Sequence, residues 1–188
     1  MRSAGRPTYC STVEIRDADG RALPSGEIGE ITVKGPNTMM GYWNKPEQTA
    51  STLVDGWVLT GDAGYMDEGG FLFLMDRVKD MIVSGGENVF SAEVESVISR
   101  YPAVQEVAVI GVPSEQWGEA VHAIVRLRPG HSCSAQDIVE FCREAIAGYK
   151  LPKSVEFRED PLPMTGAGKI QKNALREPHW QSKDRRIQ

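Results

Sequence analysis

Lys169 lies in the run Pro163-Met164-Thr165-Gly166-Ala167-Gly168-Lys169-Ile170, one amine on a loop built from Thr, Gly and Ala. A reaction that builds negative charge on a phosphate as pyrophosphate leaves needs a cation at its transition state. A lysine on a mobile loop supplies that cation only when the loop closes. Gly166 and Gly168 give such a loop its freedom, and Thr165 offers a hydroxyl to phosphate. The plainer alternative is a solvated Gly-rich turn bearing one of the chain's 21 basic residues.

Two further constellations precede it. In Thr60-Gly61-Asp62 a short acid follows a glycine, which leaves room for a ligand beside the backbone while the carboxylate accepts two hydroxyl hydrogen bonds. A ribose offers such a diol; alternatively, Asp62 satisfies the amides of a turn, as Asp commonly does. The second constellation is Asp76-Arg77-Val78-Lys79-Asp80 followed by Ser84-Gly85-Gly86-Glu87-Asn88-Val89. The planar fork of Arg77 suits ribose or phosphate oxygens, and a glycine pair lets backbone approach a narrow ligand. The plain alternative is a β-hairpin with a Gly turn and a surface ion cluster.

The elements that must position these residues fall into two grammars. From Cys10 to about Met75 the pattern is strand and turn: Val13 and Ile15 alternate with polar neighbours, Asp19-Gly20 marks a turn, and Ile28, Ile31 and Val33 precede Gly35-Pro36. Asp55-Gly56-Trp57, Asp67 through Gly70 and the run Phe71 to Met75 continue it, with one helix expected over Pro46 to Leu53. After Asp76 the pattern becomes mixed. Ser91 is a candidate cap for a helix burying Val94, Val97, Ile98 and Tyr101 and stopped by Pro102. Val107 to Val112 and Val121 to Leu127 read as strands, the latter with Val121, Ala123, Val125 and Leu127 on one face. Ser134 and Asp137 form the two halves of a capping box opening a helix that buries Ile138, Phe141, Cys142, Ala145 and Ile146 and ends at Gly148. Val155 to Phe157 reads as one more short strand and Lys172 to Arg176 as a terminal helical turn or two. The expected fold class is therefore α+β: a small β-rich subdomain over 1–75, an α+β domain over 76–180 with a small central sheet and flanking helices, and a tail over 181–188.

Composition is ordinary for a globular protein, with 40% apolar and 25% charged residues. The net charge of −5 falls wholly on residues 1–76, with 6 basic against 11 acidic side chains, while the remainder balances 15 against 15. Bulk charge gives no reason to expect a nucleic-acid partner. The basic excess of the last segment, where Lys172, Arg176, Lys183, Arg185 and Arg186 outnumber Glu177 and Asp184, reads as a solvated, frayed tail. No apolar stretch reaches the roughly 18 to 20 residues that span a bilayer, and the start MRSAGRPTYC lacks a signal-peptide run, so a cytoplasmic protein is expected. Cys10, Cys133 and Cys142 have no CxxC spacing and are expected to be reduced thiols; His122, His131 and His179 show no metal-ligand spacing either, and no metal ligands are assigned.

Joined in order, these pieces resemble the adenylate-forming, AMP-binding superfamily of acyl-CoA synthetases over most of the chain. GEIGEITVKGPNTMMGYWNKPEQT is similar to the segment after that family's acyl pocket, WVLTGDAGYMDEGGF to its ribose-binding turn, and DRVKDMIVSGGENVFSAEVE to its hinge and the start of its moving domain; YKLP and PMTGAGKIQKNALR complete the set. The resemblance implies two half-reactions: a carboxylate and ATP give an acyl-adenylate and pyrophosphate with Mg²⁺, then coenzyme A displaces AMP. It implies that Asp62 and Arg77 hold the ribose, with Leu74 near the nucleoside; that Lys169 assists adenylation; and that Asp76 is the hinge of a mobile C-terminal domain. Gly85, Gly86 and Trp117 would then line the coenzyme A tunnel, although Trp117 could equally pack within its own domain. SGGENVF before AEVE is closer to acyl- and aryl-CoA synthetases than to peptide-synthetase adenylation domains, and WGEAV with KIQKNALRE points to the fatty acyl branch. Ser91 stands where proline is common in that branch.

The family's Ser/Thr/Gly-rich phosphate loop, its aromatic-Gly-x-Thr-Glu segment whose acid holds Mg²⁺, and its carboxylate pocket have no counterpart in these residues. The expected reading is thus the C-terminal part of a larger acid-thiol ligase whose partner is the remaining N-terminal domain; the alternatives are a non-enzymatic interaction module of the same fold, or the tail of a ligase that charges a carrier protein. The 188-residue chain alone is predicted to give no carboxylate-dependent ATP-pyrophosphate exchange, and clear exchange by the purified chain would contradict this.

Overall fold

The computed structural model describes residues 3–180. The expected tail at 181–188 lies outside the described residues. The chain divides into two compact units, with the change-over between Lys79 and Asp80.

The first unit carries β1 (Thr12–Arg16), β2 (Gly29–Lys34), α1 (Pro46–Thr52), β3 (Leu53–Val54), β4 (Trp57–Met66) and β5 (Leu72–Arg77). All pairings are antiparallel: β1 on β2, β2 on one edge of β4, and β3 and β5 sharing the other edge of β4. The turns follow the sequence signals. Asp55 and Gly56 both have positive φ and close the hairpin between β3 and β4, the primed geometry that an Asp-Gly pair favours. Asp17 Oδ1 accepts the Asp19 and Arg21 amides, and Asp67 Oδ1 accepts the Phe71 amide, so both acidic turns are closed by their own side chains. Pro46 begins α1 as expected. Thr60 to Asp62, expected to form a turn, instead lies inside β4, because the strand absorbs the extra residues as a bulge.

The second unit carries β6 (Ile82–Ser84), β7 (Glu87–Val89), α2 (Ser91–Ile98), β8 (Val104–Ser114), β9 (Gly118–Leu127), α3 (Ala135–Arg143), β10 (Ser154–Arg158) and α4 (Lys172–Trp180). Antiparallel β8 covers one edge of β9; parallel β10 and, at Gly118, antiparallel β6 share the other. Ala120 to Val125 are all buried because β9 is covered on both faces. Val121, Ala123 and Val125 pack with Val94, Val97 and Ile98 of α2 and Ile138 and Cys142 of α3. Ile124 faces the other way, into a smaller cluster with Ala108, Ile110, Leu162 and Leu175. The expected one-sided alternation of β9 therefore describes only the larger of its two cores.

Helix boundaries show which contacts win. The capping box at α3 forms: Asp137 N–H donates to Ser134 Oγ at 3.2 Å, and Asp137 Oδ2 accepts the Ser134 amide at 2.8 Å. The helix stops at Arg143, five residues before the Gly148 expected to end it, and Gly148 opens a 3₁₀ turn instead. Ser91 does not cap α2: Phe90 occupies that position, and the buried Ser91 hydroxyl accepts from Lys172 Nζ at 2.7 Å. Tyr101 lies past the end of α2 yet still packs edge-on against Phe141, 5.3 Å between centroids.

The hydrogen bonds from the Ser134 amide and hydroxyl hold the Asp137 carboxyl below its ordinary value. A depressed folded pKa gives stability that is complete above the unfolded value, near 4, and is lost as pH falls through the lower folded value. Ser134→Ala is expected to cost about 1 kcal/mol in urea unfolding near neutral pH. Asp137→Asn is expected to be less stable than wild type near neutral pH, with the gap narrowing as pH falls below the unfolded carboxyl value. A gap that persists unchanged in acid would assign the loss to packing.

Candidate functional site

In the first unit the site begins with a bulge. Glu30 pairs with Ala63 and Thr32 with Leu59, so Thr60, Gly61 and Asp62 stand opposite Ile31 alone. Gly61 takes φ +72, the left-handed conformation that such a bulge demands. The strand's freed polar groups are satisfied by side chains: Gly61 N–H donates to Glu30 Oε1 at 2.9 Å, Asp62 N–H to Thr60 Oγ1 at 3.1 Å, and Thr60 Oγ1 donates to the Ile31 carbonyl at 2.7 Å. The Asp62 carboxylate is thus not spent on the local amides, which disposes of the plain alternative. It faces Arg77, its partner in the β4–β5 register, with Arg77 Nε 3.3 Å from Asp62 Oδ1. Both side chains are partly exposed, at 33% for Asp62 and 53% for Arg77, so each keeps polar surface beyond the pair. Leu74, two strand positions before Asp76, is half-exposed and offers an apolar surface on the same strand. Asp76 Oδ1 accepts the Arg77 amide at 2.7 Å where β5 ends.

In the second unit Gly85 and Gly86 form the two-residue turn between β6 and β7, with φ +63 and +88. The hairpin reading of this segment is the observed one. It also brings Trp117 into the same place: Gly85 N–H donates to the Trp117 carbonyl at 2.9 Å, and a Cβ on Gly85 would sit 2.9 Å from the indole. Of the three residues assigned together by resemblance, Gly85 and Trp117 are therefore in contact, with Gly86 next to Gly85 in the turn. The indole is 40% exposed, with the Lys153 amine 5.7 Å from its ring centroid.

Lys169 occupies a small hairpin of its own. Thr165 N–H donates to the Lys169 carbonyl at 2.7 Å, Gly168 N–H to the Thr165 carbonyl at 2.9 Å, and Gln171 N–H to the Pro163 carbonyl at 2.7 Å. The Thr165 hydroxyl accepts the Lys169 amide at 3.1 Å, so in this conformation it orders the loop. Lys169 itself is exposed and makes no ion pair with a described residue. Lys169 and the Asp62–Arg77 pair belong to different compact units.

Residues with no assigned role in the site anchor this hairpin on both sides, and two of them correct a reading: Lys172 and Arg176, expected in a solvated basic tail, are held by ion pairs within the second unit. After it, Lys172 Nζ reaches Glu95 Oε1 at 2.7 Å and donates to the Ser91 hydroxyl; Glu95 Oε1 in turn accepts the Val109 amide at 2.7 Å. Before it, Leu162 is buried and its amide donates to Glu106 Oε2 at 3.1 Å. Arg176, one turn further along α4, forms a buried pair with Asp80 at 3.2 Å. Removing one partner of such a pair leaves the other charge buried and uncompensated. Glu30 and Glu95 carry no sequence signal of their own, since each acts through a partner distant in the chain. His122, Glu156 and His179 are likewise brought together by folding, with ligand-capable atoms within 4.8 Å of one another. Burial, then the neighbouring His179, lowers the His122 pKa against the pull of Glu156.

Residues 93–169 match the family described as AMP-binding enzyme C-terminal domain, and residues 1–43 match the AMP-binding enzyme family. The chain belongs to the adenylate-forming, AMP-binding enzyme superfamily. It is 44% identical, over its whole length, to the fatty acid–[acyl-carrier-protein] ligase ScoC of Streptomyces coeruleorubidus, spanning 36% of that protein. It is 49% identical over 94% of its length to the long-chain-fatty-acid–CoA ligase FadD13 of Mycobacterium tuberculosis, spanning 35% of it. The o-succinylbenzoate-CoA synthetase of Bacillus subtilis, solved with its acyl-adenylate intermediate, superposes with a TM-score of 0.85 at 40% identity, covering 92% of this chain and 35% of that one. The chain thus spans about a third of the length of these adenylate-forming relatives and corresponds to their C-terminal portion.

The Gly85–Trp117 contact makes a prediction. Gly85→Ala combines left-handed strain with a clash against the indole and is expected to cost more than Gly86→Ala, which meets open space and bears strain alone, about 1–2 kcal/mol. Only the former should shift Trp117 emission, read as a difference from matched Trp117→Phe proteins. Equal costs and unchanged emission would show that the indole does not press on the turn.

Proposed function

We propose that these residues form the ribose-holding and lysine-loop portion of an ATP-dependent acid-thiol ligase. The reading rests chiefly on one observation: the Asp62 carboxylate is relieved of the bulge amides and paired with Arg77. An acceptor-only carboxylate receives two hydrogen bonds from the vicinal hydroxyls of a ribose, while Arg77 fixes its orientation and adds donors to the ring oxygens. Leu74 supplies apolar contact to the nucleoside. In the first half-reaction a substrate carboxylate oxygen attacks the α-phosphorus of ATP, the bond to the bridging oxygen breaks, and pyrophosphate leaves. Lys169 donates to the developing charge. In the second, the thiolate of coenzyme A attacks the acyl carbon and AMP leaves. Gly85, Gly86 and Trp117 would then border the pantetheine, the bare turn allowing close approach and the indole one wall.

Asp76 would act as the hinge, since β5 ends beside it and the compact units change over shortly after. Mg²⁺, when bound, screens the phosphate charge. Asp62 is poorly suited to hold it because a guanidinium already occupies its face, and the fitting acid is expected in the N-terminal domain that completes the enzyme. A fatty acid is the proposed carboxylate, on the likeness to FadD13 and ScoC. No helix among the described residues is long and apolar enough to cross a membrane, in keeping with the proposed cytoplasmic location. The name of ScoC favours a second reading of the acceptor, a carrier protein's phosphopantetheine in place of coenzyme A.

In the complete enzyme, Lys169→Ala is expected to lower carboxylate-dependent pyrophosphate exchange by about 10²–10³-fold. Thioester formation from supplied acyl-adenylate should stay within a few-fold of wild type. Equal loss in both half-reactions would remove the assigned role of Lys169, and turnover with coenzyme A against holo-carrier protein separates the two acceptors.

A further inference from the structure

We infer that His122, Glu156 and His179 form a binding site for a divalent transition-metal ion, with Zn²⁺ the best fit to the ligand set. His122 lies on β9, Glu156 on β10 and His179 on α4, so the fold joins one residue from each of three elements. Their ligand-capable atoms lie within 4.8 Å of one another, and His122 Nε2 is 3.7 Å from Glu156 Oε2. Ligands about 2.1 Å from a tetrahedral Zn²⁺ stand about 3.4 Å apart. The gap between His122 and Glu156 is already close to that, and modest rotation of the two half-buried side chains, His179 and Glu156, brings in the rest.

His122 carries the second, independent observation. It is only 7% exposed, and its Nε2 is buried with no hydrogen-bond partner. The other ring nitrogen, Nδ1, lies 2.7 Å from the Ser154 hydroxyl. With the proton on Nδ1 donated to Ser154, the Nε2 lone pair faces Glu156 Oε2, and two acceptors confront each other across 3.7 Å; Arg158 Nε lies 3.8 Å from the other oxygen, Oε1, and leaves Oε2 to the ion. With the proton on Nε2, that distance is too long for a hydrogen bond to Glu156. A cation between them satisfies both groups at once, and Ser154 becomes the outer partner that fixes the tautomer of a ligating histidine. The register does the positioning: Ser154 pairs with His122 in the parallel β9–β10 ladder, and Glu156 follows two residues on, on the same face.

Such an ion would clip α4 to the sheet. Since Lys172 and Arg176 on that helix hold the lysine hairpin and Asp80, the clip would steady the platform from which Lys169 projects. This site does not depend on the ligase reading.

The test is calorimetric titration of the 188-residue chain with ZnCl₂ in a non-chelating buffer, accompanied by Co²⁺ absorption spectra. One Zn²⁺ per chain is expected, with visible Co²⁺ bands of a four-coordinate site and a melting temperature that rises with Zn²⁺. His179→Ala and Glu156→Gln should each weaken Zn²⁺ at least about tenfold, and Ser154→Ala about tenfold through the outer partner. His179 and Glu156 are partly exposed, so circular dichroism should confirm folded variants; if one fails to fold, the other carries the same comparison. Absence of stoichiometric binding by the wild-type chain overturns the assignment. So does Zn²⁺ that binds the folded variants as tightly as wild type, which would place the ion on the cysteines or elsewhere.

Discussion

Glu30 accepts the Gly61 amide, and that contact leaves the Asp62 carboxylate unused by the bulge. A bulge inside a strand exposes backbone donors that must be satisfied, and an acidic residue beside them is the usual donor sink. Here the duty falls to a carboxylate on the neighbouring strand and to the Thr60 hydroxyl. Asp62 is left with Arg77 opposite, and the antiparallel register keeps the two together without a flexible loop. Rigid strands carry the Asp62–Arg77 pair proposed to face a ribose, and a short hydrogen-bonded hairpin carries the lysine. That division suits the proposed role of Lys169, a cation needed in only one of two half-reactions.

The same economy governs the second unit. The lysine hairpin is fixed at its feet and free at its tip: Leu162 and Glu106 hold one side, Lys172 with Glu95 and Ser91 the other, while Lys169 stays exposed. Glu95 links the Lys172 amine to the backbone of β8, so the hairpin is referenced to the central sheet. Gly85 is bare where Trp117 presses on the turn, a packing reason for glycine that holds whether or not a ligand passes there.

What was legible in the sequence was what local chemistry decides. The capping box of Ser134 and Asp137, the Asp55-Gly56 turn and the two-glycine hairpin each depend on residues within four positions and appear as expected. Ser91 failed as a cap because a lysine far along the chain claims its hydroxyl, which no local pattern reveals. Thr60-Gly61-Asp62 looks like a turn but is held in a strand because Leu59 and Ala63 on either side of the bulge pair with β2 and Asp62 pairs with Arg77 of β5. The second, smaller core behind β9 was hidden for a similar reason: a strand covered on both faces loses the alternation that marks a one-sided strand. The candidate site residues were singled out through their motifs, whereas Glu30 and Glu95, which hold their neighbours, were not, and Lys172 was read only as part of a basic tail.

The most direct measurement compares AMP with 2′,3′-dideoxy-AMP on the complete enzyme and on its Asp62→Asn variant by calorimetry. If the freed carboxylate takes the ribose diol, the wild-type enzyme favours AMP by about 10- to 100-fold, the worth of a hydrogen bond to a charged group, and the variant loses most of that preference. A preference for AMP that is the same in both proteins would contradict the role assigned to Asp62 and to the bulge that presents it.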